Sequence, residues 1–132
     1  MIDVKELRID NLVMCKNEIC RINMINRGDV VEVSTIDSDS VKECFVCEIM
    51  SDRLYPIILT EELALKCGFK KINHVYGYSF FSMERKKYGA NIDIYEAYST
   101  IGGNTSVPHI QFLHQLQNLY FALTGKELKI EL

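Results

Sequence analysis

Charge is missing from one long stretch of this 132-residue chain: Ala97 to Gly125 contains no Asp, Glu, Lys or Arg. With 25% of the chain charged, about seven such residues would fall there at average density. Inside the stretch, Pro108 to Leu123 repeats with helical period, and its polar positions hold only Gln, Asn and His. A helix with one face in water carries charge on that face, so this one is expected to be covered on most sides. Proline is scarce, with two in the chain, and apolar residues make up 48%; that combination excludes a disordered chain. No apolar run approaches the ~20 residues of a membrane span, so no membrane partner is expected. The segment Met1–Glu6 lacks the basic and apolar regions of a secretory signal. With an odd number of cysteines, five, reduced thiols and a cytoplasmic setting are expected. The net charge of −3 gives no global pull toward nucleic acid.

What charge there is lies unevenly. Residues 1–65 carry net −6, residues 66–88 net +5 and residues 89–132 net −2. The acidic first half reads as short strands split by turn residues: Leu12–Cys15, Ile19–Ile25, Val30–Ile36 and Val41–Met50. In the second of these, strict alternation puts Cys20, Ile22 and Met24 on one side. Thr60 then caps a two-turn helix that ends at Gly68, with Phe69 placed to close a Schellman-type end. Tyr76–Arg85 and Ile92–Ile101 read as a hairpin. The uncharged helix follows, with Ser106 as N-cap and Gly125 as stop, and Leu128–Leu132 alternates as a last strand. The predicted fold class is therefore α+β: an SH3-like β-meander or partial barrel, a short connecting helix, and a ββαβ unit with one long helix. The divisions fall at 1–59, 60–74 and 75–132.

At 100° per residue, Phe112, Leu113, Leu116, Leu119, Tyr120 and Leu123 share one arc of the helix. Ile110, Gln117 and Phe121 widen it to about 200°, roughly twice what packing on one sheet requires. Two readings follow. Either the helix is packed between lobes of its own chain, or Ile110, His114, Gln117 and Phe121 form a surface for a protein partner, including a second copy in a homodimer.

Chemistry is harder to find. Cys15, Cys20, Cys44 and Cys47 have spacing that resembles a zinc site. The first pair lacks a glycine for a metal knuckle, and the second reads as strand, where residues three apart point to opposite faces. Core cysteines are the simpler expectation, with zinc as the alternative. His109 and His114 diverge by about 140° on a helix, too far to share a metal. Gly102-Gly103-Asn104-Thr105 lacks the lysine of a phosphate loop. No cofactor and no enzymatic activity are expected. The basic segment 66–88 interleaves Lys70, Lys71, Arg85, Lys86 and Lys87 with Tyr76, Tyr78, Phe80 and Phe81, a mixture able to hold single-stranded nucleic acid.

Three blocks carry a resemblance: Leu7-Arg8-Ile9-Asp10-Asn11-Leu12-Val13; Pro56 to Leu63 with Gly68-Phe69; and His114-Gln115-Leu116-Gln117-Asn118-Leu119-Tyr120-Phe121-Ala122-Leu123-Thr124-Gly125-Lys126-Glu127-Leu128. The chain resembles a family of small uncharacterised proteins encoded by phages and prophage-like elements of Bacteroides and related gut bacteria. That family often has glycine where this chain has Asp10; Asp10-Asn11 can make the same turn, since both tolerate left-handed backbone. The resemblance implies a bacterial host cell and transfers no site residues. The leading expectation is a non-enzymatic protein-interaction module of a mobile element. A nucleic-acid-binding accessory protein using segment 66–88 is the alternative.

Overall fold

The computed structural model describes residues 2–36, 46–50, 53–74, 76–83, 91–103 and 105–132, without the side chains of 46–48. It is a mixed α+β fold with two antiparallel sheets, one a curled half-barrel. The chain divides into two compact units. The first comprises Met1–Ile58 with Phe112–Leu128, and the second Leu59–Gln111 with Lys129–Leu132.

The first unit opens with a single 3-10 turn, Val4–Glu6, capped by the Asp3 carboxylate, which accepts from the Lys5 N–H. The half-barrel follows as β1 (Leu12–Cys15), β2 (Glu18–Ile25), β3 (Val30–Thr35) and β4 (Val46–Met50), paired in chain order. Its core is Ile2, Leu7, Val13, Cys15, Cys20, Ile22, Val31, Val33, Ile49 and Leu54. The turn between β2 and β3 needs positive φ at Gly28 and Asp29. The expected alternation of β2 breaks at Asn23, where the register against β3 slips between Ile22 and Met24. This bulge swaps the faces beyond it: Ile25 packs against the core, and Met24 is 48% exposed. Of the expected strand Val41–Met50, residues 41–45 lie outside the described residues.

Between Ile58 and Phe112 the chain builds the second unit. Thr60 Oγ1 accepts from the Leu63 N–H and caps α1 (Glu61–Lys66), as its sequence suggests. Phe69 N–H reaches Ala64 C=O and Gly68 N–H reaches Leu65 C=O, the paired bonds of a Schellman end around Gly68 at φ 95°. The sheet is a five-stranded meander: β5 (Lys70–Asn73), β6 (Ser79–Met83), β7 (Ile92–Ile94), β8 (Ser99–Ile101) and β9 (Thr105–Val107). Met83, Ile92, Ile94 and Ser99 are buried on the face opposite Phe80.

The expected ββαβ unit is not formed. The long helix α2 runs Leu113–Thr124 and belongs to the first unit, and residues 128–132 form no strand. Ser106 does not cap it, because Thr105–Val107 pairs with β8, and Pro108 holds Val107 extended. Phe112 bridges Ile58 and serves as N-cap, its N–H donating to Gln115 Oε1. Gly125 stops the helix at φ 71°, as expected. The expected strand Ile92–Ile101 is broken by a turn in which Tyr95 N–H meets Tyr98 C=O. Strand β5 lies where no strand is expected, since Lys70-Lys71-Ile72-Asn73 has no apolar alternation. Among the described residues no helix is long and apolar enough to cross a membrane.

Asp10 occupies left-handed backbone at φ 74°, a conformation glycine adopts without steric cost. Asp10→Gly is expected to raise unfolding stability by up to about 1 kcal/mol, measured by urea denaturation; a loss of stability would show that the Asp10 side chain matters more than its backbone strain.

Candidate functional site

Helix α2 meets the start of β1 through amides. Gln117, 3% exposed, accepts from the Leu12 N–H at 2.8 Å and donates to the Asp10 C=O at 3.2 Å. Asn11, fully buried, accepts from the Arg8 N–H and donates to Asn118 Oδ1, both at 2.8 Å. Asn118 in turn donates to the Glu6 C=O at 2.7 Å. Neutral amides offer both a donor and an acceptor to exposed peptide groups without the desolvation cost of an ion. This is why the polar positions of α2 hold no charge.

An ion pair closes the lower end. Arg8 makes a two-pronged contact with Glu127, one prong at 3.0 Å, and its guanidinium lies 4.1 Å over the Phe121 ring. His114 is 1% exposed, with Nε2 3.4 Å from the Glu6 carboxylate and, among the described residues, no partner for Nδ1. Burial lowers its pKa below the ordinary histidine value, against the smaller opposing pull of Glu6.

The expected partner surface on α2 is thus largely occupied by the chain itself. Ile110, His114 and Gln117 are buried; only Phe121, 37% exposed, reaches solvent, beneath Arg8. The physical reason is that Gln117 and His114 serve backbone and carboxylate groups of residues 6–12 rather than a second molecule.

Cys15 and Cys20 are members of the first unit's core. Cys44 lies outside the described residues, and Cys47 stands across from Val33 on β4 with its side chain not described. Among the described residues no three metal-ligating groups gather. Burial raises the Cys67 thiol to about 11, so it stays protonated and unreactive near neutral pH.

Ser99, His109 and Glu96 form an arrangement that sequence does not reveal. Ser99 Oγ is 3.0 Å from His109 Nδ1, and His109 Nε2 is 3.1 Å from the Glu96 C=O. A carbonyl only accepts, so Nε2 carries the proton and Nδ1 accepts from the serine hydroxyl. These are the contacts of an activated nucleophile. Yet Ser99 is fully buried and its oxygen already accepts from the Ile110 N–H at 3.1 Å. No substrate carbon can approach; the trio pins the β9–Ile110 segment to β8.

The outward face of the second unit's sheet is aromatic. Tyr76, His74, Tyr78, Phe80, Tyr95 and Tyr98 form a continuous row, with successive ring centroids at 5.1, 4.5, 6.5, 4.6 and 4.5 Å. Tyr76 is 84% exposed, Tyr98 52% and Tyr78 46%. Tyr95 and Tyr98 enter through the turn that interrupts the expected strand, so alternation in segment 66–88 alone captures only half the row. Opposed residues share a face, which places Ile72, Ser82, Asp93 and Thr100 beside it. Ser82 donates to Asp93 at 2.6 Å. Desolvation first, then the Asp93 charge, raises the Tyr95 pKa and keeps the phenol neutral.

Of the basic candidates, the described residues include Lys70 and Lys71, and these lie on opposite faces. Lys70 lies across from Ser82 on the aromatic side, whereas Lys71 lies across from Phe81 on the other face and pairs with Glu61 at 3.1 Å. Arg85, Lys86 and Lys87 lie outside the described residues. No protein-family profile, curated protein or solved structure matches the chain.

Gln117→Leu leaves the Leu12 N–H and the Asp10 C=O unpaired in a buried site; a loss of about 2–4 kcal/mol is expected by denaturant titration. His114 contributes a pH dependence of fixed sign. Because its folded-state pKa is depressed, the unfolded chain binds the proton more readily, and stability is lost as pH falls below the ordinary value near about 6.5. Comparing denaturation midpoints between about pH 7 and pH 5, His114→Gln should flatten this part of the profile.

Proposed function

We propose that the chain is a non-enzymatic protein-interaction module of a phage or mobile element, and that it meets its partner through the aromatic row of the second unit. The observation that carries this reading is a run of neighbouring rings in which Tyr76, Tyr78 and Tyr98 are exposed. Tyrosine supplies large contact area with few rotatable bonds, and its hydroxyl tolerates both solvent and a partner. Exposed aromatic clusters of this kind are where interfaces concentrate binding energy. In this reading the half-barrel of the first unit, SH3-like in its meander, is scaffold, and α2 is part of that scaffold rather than an oligomer interface.

Single-stranded nucleic acid is the less favoured partner for a geometric reason. A base must lie on a ring face, but His74 and Tyr95 are each stacked by a ring on both sides, and Tyr78 and Phe80 are tilted against each other at 6.5 Å. Among the described residues, the end members Tyr76 and Tyr98 have a single ring neighbour in this row. Among the described residues the same face carries Asp93 and one lysine, Lys70.

A photo-crosslinking residue placed at Tyr98 in cells carrying the mobile element should give a discrete protein adduct, lost when Tyr76→Ser and Tyr78→Ser are combined. The same residue at exposed Glu18 of the first unit should give none. Adducts from position 18 and not from 98 would overturn the assignment. Oligonucleotide binding that falls steeply with salt, and weakens on Lys86→Ala with Lys87→Ala, would favour nucleic acid instead.

A further inference from the structure

The second unit's sheet ends on β5, and β5 is open. All four residues, Lys70 to Asn73, are exposed, and among the described residues β5 has β6 as its only neighbour strand. The orientation of its peptide groups follows from the hairpin. His74 N–H bonds the Tyr78 C=O at 2.8 Å, and 74 and 78 continue the register that opposes Ile72 to Phe80 and Lys70 to Ser82. Antiparallel pairs alternate between bonded and non-bonded. Residues 70, 72 and 74 therefore bond inward to β6, and the N–H and C=O of Lys71 and Asn73 turn to the outer edge. Among the described residues no backbone bond outside the β5–β6 pair uses them.

From this edge we propose that the partner docks by adding an extended acidic segment as a sixth strand along β5. The inference rests on the protein-interaction reading above and gives it a partner chemistry. An added strand would satisfy the outward groups of Lys71 and Asn73. Its side chains on one face would continue the aromatic side beyond Ile72, itself 38% exposed. Those on the other face would meet Lys71. Charge selects the occupant. Lys70 and Lys71 lie on the edge itself, within a segment of net charge +5 over residues 66–88. Lysines on an edge strand discourage pairing with a second copy, because the two edges would bring like charges together. The same lysines attract glutamate or aspartate, and an acidic strand is admitted where a basic one is rejected. The Lys71–Glu61 pair is no obstacle: both partners are substantially exposed, and such pairs exchange at little cost.

The probe is a terminally blocked peptide of about ten residues, the length of a long strand, alternating valine with glutamate, added to the isotope-labelled full chain and followed by amide NMR. The Lys71 and Asn73 amides should shift and exchange at least about tenfold more slowly in the presence of peptide. A peptide with lysine in place of glutamate should not bind, nor one whose alternate backbone nitrogens are methylated. Asn73→Pro removes an outward N–H and leaves the inward bonds intact, so it should weaken binding at least tenfold while the β5–β6 cross-strand signals persist. The methylated peptide carries the same test if that variant fails to fold. Binding indifferent to methylation, or a β5 edge that pairs with a second copy of the chain, would overturn the proposal. Shifts confined to Tyr76, Tyr78 and Tyr98 would overturn strand addition and leave the aromatic contact surface standing. Shifts at β5, with Tyr98 neither shifting nor crosslinking, would support strand addition and remove the aromatic reading.

Discussion

The first unit depends on a pair of buried amides. Gln117 and Asn11 hold α2 to residues 6–12, and together they satisfy peptide groups at the point where the chain turns into β1. A hydrophobic helix face alone would leave α2 free to slide or rotate on its sheet. Two amides aimed at particular N–H and C=O groups permit one register. Breaking any single bond leaves its partner buried and unpaired, so the arrangement is all or nothing. The absence of charge at Gln117 follows directly, since an ion in its place would be stranded.

Arg8 and Glu127 extend the same docking by a different route. Their pair is only partly buried and contributes little as charge alone. Its value is geometric: a planar fork against a carboxylate, with an aromatic ring beneath. The segments Leu7–Val13 and His114–Leu128 are the two sides of this docking. Arg8 meets Glu127, Asn11 meets Asn118, and Leu12 meets Gln117.

Elements governed by local chemistry were legible in the sequence. Thr60, Gly68 and Phe69 punctuate α1 because capping bonds span only a few residues, and Gly125 stops α2 for the same reason. The half-barrel strands could be read from β-branched runs and turn residues. What escaped was non-local. The bulge at Asn23 reverses Ile25 and Met24, and no periodicity rule anticipates an extra residue. Strand β5 has no alternation because it is an edge with both faces in water. The assignment of α2 to the first unit rests on partners more than a hundred positions away. At the candidate site, Tyr76, Tyr78 and Phe80 were visible as alternating aromatics, but Tyr95 and Tyr98 join them only through a turn inside what reads as one strand. Ile110, His114 and Gln117 stood out as a candidate partner surface on a wide apolar arc, and all three are buried. Their partners turned out to be the chain's own.

The insertion of the second unit between Ile58 and Phe112 also sets an order of events during synthesis. The hydrogen bonds of α2 to the N-terminal segment join residues 105 to 112 positions apart, and closing so long a loop is slow compared with pairing neighbours. On the ribosome, β1 to β4 emerge well before residues 112–128 exist, so Asn11 and the Leu12 N–H wait in water for their amides. The meander β5 to β9 has all its strand partners within residues 70–107 and is free to assemble in that interval. The last-made helix then acts as a latch, and a nascent chain truncated before it would present an open half-barrel to the quality-control machinery of the cell.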